Sequence, residues 1–227
     1  MTPTSLGLPR SMMPREKILN DGPHALTDVE LVALFLRTGV EGKNVFQMAN
    51  ELLLHFRGLA GLVRASASDL ARVKGMKGDA KRAQLIGVLE MARRAMVQEL
   101  RTQPIMNSPR TVKEYLQIEL GALPYETFSV MFLDNQNRLL QFVPMFRGSI
   151  SQTMVYPREI AKIALELGAN GVILAHNHPS GHVEPSRSDQ DLTQHLQNAL
   201  RLIDVHVRDH IIVSQGQSFS MAEAGLL

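Results

Sequence analysis

Apolar residues in the first hundred positions recur at helical spacing with short interruptions. Thr27-Asp28-Val29-Glu30 has the order of a capping box, and Leu31, Leu34 and Phe35 follow on one face, so a helix is expected to begin at Thr27. Val45, Phe46, Ala49, Leu52, Leu53 and Phe56 continue a helical stripe as far as Gly58, which is placed to end that helix as a C′ glycine. Ser66, with Asp69 three residues on, opens a short helix that leads through Val73 to Asp79 into a long helix reaching about Leu100. These apolar positions read as core.

From Thr102 to Pro109 the chain turns polar and carries Pro104 and Pro109, the composition of a linker, and the domain boundary is expected there. Beyond it the period changes. Phe128 to Leu133 and Leu139 to Phe146 read as strands around Asp134-Asn135-Gln136-Asn137, a hairpin. Pro157 suits the first turn of a helix through Leu167, Gly171 to Ala175 is a short apolar strand, Arg187 to Ile203 is helical, and Val205 to Ser214 is a strand. The order predicts a small all-α domain over 1–104 and an α/β domain over 105–227.

The length of 227 residues and 44% apolar content fit a globular protein of one or two domains. No run approaches the apolar length of a membrane span, and the start, Met1 to Arg15, has prolines where a signal peptide would be hydrophobic. A cytoplasmic location with no membrane partner is therefore expected. Cysteine is absent, which excludes disulfides, thiol catalysis and every zinc site with a Cys ligand. Any metal must be held by His, Asp or Glu. Charge is uneven: residues 1–105 hold 15 Lys and Arg against 10 Asp and Glu, whereas 106–227 hold 9 against 12. The basic half is read either as a weak nucleic-acid-binding face or as an ordinary solvated surface.

Six of the eight histidines lie in the second half, and His176-Asn177-His178 directly follows the apolar Val172-Ile173-Leu174-Ala175. Side chains two apart at a strand end point to the same side, so both imidazoles can reach one ion. Two neutral imidazoles suit zinc, and a catalytic zinc needs a third protein ligand and an open position. Ser186 is placed to cap the next helix, which puts Asp189 in its first turn with the carboxylate directed back toward the strand ends. Pro179, Gly181 and Pro185 restrict the connecting loop.

His176-x-His178-Pro179, followed by Ser186 and Asp189 at this spacing, resembles the JAMM (MPN-type) metalloprotease signature, in which two His and one Asp bind zinc. The wider string resembles the RadC family, in His176-Asn177-His178-Pro179-Ser180-Gly181, Pro185-Ser186-Arg187, Pro157-Arg158-Glu159 and Asp209-His210-Ile211-Ile212, and in the first half from Pro14-Arg15-Glu16-Lys17 to Glu90. The resemblance implies a mixed-sheet fold of the JAMM/cytidine-deaminase-like kind and Zn2+ at His176, His178 and Asp189. It also implies a general base on the first strand of the domain, matched by Glu126, with Glu159 and Glu184 as rivals, and an oxyanion donor at Ser186, which is equally a plain helix cap. Asp209-His210 reads either as a partner of a ligating imidazole or, preferably, as a structural pair; His182 and His195 read as surface residues.

Val73 to Leu85 resembles a helix-hairpin-helix element that offers backbone N–H groups to phosphate, with Lys74, Lys77, Lys81 and Arg82 around it, but Gly75-Met76-Lys77-Gly78 has one residue too many. Three functions compete. The first is a zinc hydrolase of peptide or isopeptide bonds, its protein or peptide substrate unknown. The second is a DNA-associated accessory protein, related to repair or recombination, whose metal domain is a binding or structural module. The third, less supported, is a metal-dependent nuclease. A zinc nucleoside deaminase is excluded for want of Cys ligands.

Overall fold

The computed structural model describes residues 13–148 and 155–227. The proline-containing start that speaks against a signal peptide lies largely at residues 1–12, outside the described residues. The chain divides into two compact units, Met1–Met91 and Ala92–Leu227. The first contains α1 (Pro14–Asp21), α2 (Asp28–Leu36), α3 (Val45–His55), α4 (Leu59–Val63) and α5 (Ala67–Ala71), and the division falls inside α6 (Asp79–Thr102).

Thr27, Asn44 and Ser66 cap α2, α3 and α5, each in a full capping box closed by Glu30, Gln47 and Asp69. The Thr27 and Ser66 caps are those predicted. The other end of α3 differs from expectation. The helix stops at His55, Phe56 is its C-cap, and Arg57, at φ 57°, takes the left-handed C′ place expected of Gly58. Arg57 N donates to Leu54 O and Gly58 N to Leu53 O, the two bonds of a Schellman motif, so the glycine sits one residue farther out. The core of this unit gathers Leu36, Met48, Leu52, Leu62, Leu70 and Met76.

The second unit is a five-stranded mixed sheet in the order β2-β1-β3-β4-β5, with helices on both faces. Its strands are β1 (Thr127–Leu133), β2 (Leu139–Arg147), β3 (Gly171–Asn177), β4 (His206–Ser214) and β5 (Gln217–Ser220). The pairing is antiparallel throughout except between β3 and β4. α7 (Pro109–Leu120), not predicted from the sequence, packs Val112, Tyr115, Leu116 and Leu120 on one face against Met131, Ile173, Ala175 and Val213. α8 (Pro157–Leu167) and α9 (Arg187–Arg201) cover the other face, where Ile160, Leu196 and Leu200 meet Phe128, Val130, Val172 and Leu174. Covering on both faces explains why β1 and β3 are buried along their whole length and read as unbroken apolar runs. Ile105 is buried in the α7-side core and its N–H donates to Asn137 O, in the β1–β2 turn. Among the described residues no helix is long and apolar enough to cross a membrane.

Candidate metal centre

Two periodicities assemble the centre. In β3 the even positions Val172 and Leu174 face α8 and α9, so His176 continues that face while Asn177 turns to the α7 side. In α9 the buried residues are Asp189, Thr193, Leu196 and Leu200, one stripe whose leucines fill the core and whose first two members are polar. The stripe delivers Asp189 to the imidazoles. β3 itself runs two residues past the predicted strand, and His178 N donates to Val213 O, which extends the pairing to the second histidine.

Among the described residues, His176, His178 and Asp189 form a group whose ligand atoms all lie within 4.8 Å of one another. His176 Nε2 and His178 Nε2 are 3.0 Å apart, His176 Nε2 is 3.3 Å from Asp189 Oδ1, and His178 Nε2 is 3.8 Å from Asp189 Oδ2. A tetrahedral ion with bonds of about 2.0–2.1 Å needs its ligand atoms about 3.3–3.4 Å apart, close to the His176–Asp189 Oδ1 and His176–His178 separations, while the nearer approach of His178 to the carboxylate is to the other oxygen, Oδ2. The proton positions fit too. His178 Nδ1 is 2.8 Å from His182 O, and since a carbonyl only accepts, Nδ1 carries a proton and Nε2 is the ring atom turned toward the group. Burial, with His178 close by as the lesser cause, pushes the His176 pKa down to about 3, so this imidazole is neutral at ordinary pH. Two imidazoles and a carboxylate converge in a group that could hold a metal ion.

Behind this group, His176 Nδ1 lies 2.7 Å from His210 Nε2, His210 Nδ1 lies 2.6 Å from Thr193 Oγ1, and Thr193 Oγ1 donates to Asp189 O at 2.6 Å. On the other side of the sheet, the buried Asn177 amide accepts from Thr127 N at 2.8 Å and donates to Tyr125 O at 2.9 Å and Leu123 O at 3.3 Å. It ties the end of β3 to the segment that carries Glu126. β1 and β3 pair with Phe128 opposite His176, and the half-buried Glu126 lies just before β1, at the same end of the sheet.

The RadC-like JAB domain family matches residues 106–226, and the UPF0758 N-terminal family matches residues 7–83. The chain belongs to the RadC-like JAB family. It is 59% identical over 97% of its length to a UPF0758 protein of Variovorax paradoxus, covering 98% of that protein. It is 54% identical, again over 97% of its length, to UPF0758 proteins of Verminephrobacter eiseniae and Leptothrix cholodnii, covering 98% and 99% of them.

Within this RadC-like JAB domain the other sequence candidates separate. Ser186 caps α9: its N–H and hydroxyl both donate to Asp189 Oδ2, at 2.8 and 2.6 Å, and its Oγ accepts from Asp189 N at 3.2 Å. That holds the carboxylate with Oδ1 toward His176. Glu159 pairs with Arg158 at 3.1 Å, and Glu184, His182 and His195 are exposed. Both readings of Asp209-His210 have a basis: His210 N donates to Asp209 Oδ1 at 2.7 Å, a structural pair, while the His210 ring lies against His176. Asp209 accepts from Ser220 Oγ and Ala222 N, whereas the fully buried His210 partners His176. Thr193 escaped sequence reading, although its place four residues after Asp189 on a helix was a usable signal.

In the first unit, the Val73 to Leu85 segment buries Val73 and Met76 and turns at Gly75, φ 94°. Lys81 donates to Thr38 O and Gly39 O, at 2.5 and 3.1 Å, and Arg82 pairs with Asp79. Lys74 and Lys77 are exposed.

Proposed function

We propose that the second unit is a JAMM-type hydrolase that holds Zn2+ with His176, His178 and Asp189 and cleaves peptide or isopeptide bonds. The observation that carries this reading is the convergence of two imidazoles and a buried carboxylate, one ligand atom of each within 4.8 Å of the others, with no cysteine anywhere in the chain. Zinc at such a centre lowers the pKa of water to about 7 and polarises a substrate carbonyl. Glu126 would hold the proton of the attacking water and pass it to the leaving amine, a role supported by its place just before β1, at the end of the sheet that carries His176. Asn177 keeps the Leu123–Thr127 segment in register for this transfer. Ser186 first serves to orient Asp189, and its hydroxyl reaches an oxyanion only by turning away from Oδ2.

The test is a hydrolysis panel of peptides, isopeptide conjugates and DNA with the zinc-loaded protein. Peptide or isopeptide cleavage is expected, with Glu126→Gln slower by about 10²–10⁴ at unchanged zinc content. Cleavage of DNA alone, or Glu126→Gln hydrolysing at the parent rate, contradicts the assignment.

A further inference from the structure

We propose that Thr193, acting through His210, is a positioning residue that sets which ring nitrogen of His176 carries the proton and so keeps Nε2 open for a metal. The inference rests on the metal reading above, but it concerns side chains that touch no ion. Its starting point is the end of the buried chain farthest from the ligand atoms. Thr193 Oγ1 and Asp189 O are two oxygens 2.6 Å apart, and only the hydroxyl has a proton to place between them. With that proton committed, Oγ1 can only accept from His210 Nδ1 at 2.6 Å, so the His210 proton is on Nδ1. His210 Nε2 is then a bare acceptor, and the 2.7 Å contact with His176 Nδ1 requires the proton to be on the His176 side. His176 Nε2 is left with its lone pair facing His178 and Asp189.

Each link has one allowed direction because its end is a backbone carbonyl. Met221 Sδ, at 3.7 Å from Thr193 Oγ1, is a much weaker acceptor and does not compete with it. Burial closes the chain off. Thr193 is 1% exposed and both imidazoles are completely enclosed, so no solvent is at hand to substitute for a missing partner. A helical threonine that back-bonds to the carbonyl four residues earlier is ordinary. Here that carbonyl belongs to the ligand Asp189, so one turn of α9 supplies a metal ligand and the reference point for the tautomer of another.

Removing only the hydroxyl should release the chain. In Thr193→Val, nearly the same shape, His210 Nδ1–H has no acceptor and the ring gains by moving its proton to Nε2. His176 Nδ1 must then accept, and its own proton goes to Nε2, where it blocks the ligand lone pair. The measurement is the imidazole tautomer read from long-range 1H–15N spectra of full-length, metal-free protein labelled at histidine, together with zinc affinity by chelator competition. The parent protein should show His176 with a protonated Nδ1 and a bare Nε2. Thr193→Val should move the proton to Nε2 and weaken zinc binding by about 10–100-fold, the range for lost partners of metal-ligating histidines. Thr193→Ser should restore both. A packing role alone would leave the tautomer unmoved, so Thr193→Val with the parent tautomer and parent zinc affinity overturns the proposal. The parent spectrum decides the matter even if Thr193→Val does not fold, since a protonated His176 Nε2 in the metal-free parent also overturns it. Absence of hydrolysis with the tautomer swap observed would tell against the proposed activity and leave this assignment standing.

Discussion

The same four-residue device, Ser-x-x-Asp, occurs in both units with nearly the same hydrogen bonds and different consequences. Ser66 and Asp69 close a capping box at α5 with bonds of 3.2, 2.5 and 3.1 Å; Ser186 and Asp189 do so at α9 with 2.8, 2.6 and 3.2 Å. Asp69 has a side chain 43% exposed and a second oxygen turned to Arg72 at 3.5 Å, whereas Asp189 is 2% exposed and its second oxygen faces His176. Local sequence makes the cap in both places. Only the strand packed against α9 sets one of them beside a pair of imidazoles.

The comparison breaks most visibly on metal binding. Asp189→Ala should abolish stabilisation by added zinc in a thermal melt, and Asp69→Ala should leave it as in the parent; equal behaviour of the two would remove the distinction. His176→Ala and His178→Ala should behave as Asp189→Ala does.

Acid separates the units next. His176 and His210 are buried neutral, with pKa values depressed from 6.5, to about 3 for His176, while the unfolded chain protonates near 6.5. Unfolding therefore takes up protons below that value, so stability is full above about 6.5 and falls as the pH drops, by about 1.4 kcal/mol per unit for each imidazole. Asp69 has the same sign in a lower window. Its pKa is lowered from 3.8 by hydrogen bonds from Ser66, so its contribution is lost only in the acid range below 3.8. Urea denaturation of metal-free protein should show a lower midpoint at pH 5.5 than at pH 7.5, and the Ser66→Ala variant should show the same pH difference. A flat profile would mean that these imidazoles are not held neutral by the fold.

The caps themselves differ less. Ser66→Ala should cost about 1 kcal/mol, the usual loss for an N-cap, with zinc affinity unchanged. Ser186→Ala should cost a similar amount and also weaken zinc, because Oδ2 loses the bond that aims the carboxylate; titration of each variant with zinc reads the difference.

The smallest effect is expected for nucleic acid. The basic first half should give weak, sequence-independent DNA retention that falls steeply with salt. Because Lys81 and Arg82 are engaged within the unit, Lys74→Ala with Lys77→Ala should remove most of it. Retention unchanged in that double variant would place the contact elsewhere.

What could be read in advance follows the range of the interaction. Capping boxes at Thr27, Ser66 and Ser186, the β1–β2 hairpin and the histidine pair depend on neighbours a few residues away, and the structure has them where the pattern put them. The α7 stripe was equally available, since Pro109 opens a run with Val112, Tyr115, Leu116 and Leu120 on one face, but the prolines before it drew attention to a linker. The four residues of β5 are too few for a period to show. His210 and Thr193 join the centre across 34 and 17 residues, and Asn177 reaches Thr127 across 50. Those contacts exist only once the sheet is assembled, and no periodicity encodes them.

The most direct test of the account is the metal content of full-length protein purified without chelators, measured by elemental analysis beside Asp189→Ala. About one zinc per chain in the parent and none in the variant is the predicted result. A metal-free parent that zinc does not stabilise would contradict the assignment of His176, His178 and Asp189 as a metal centre.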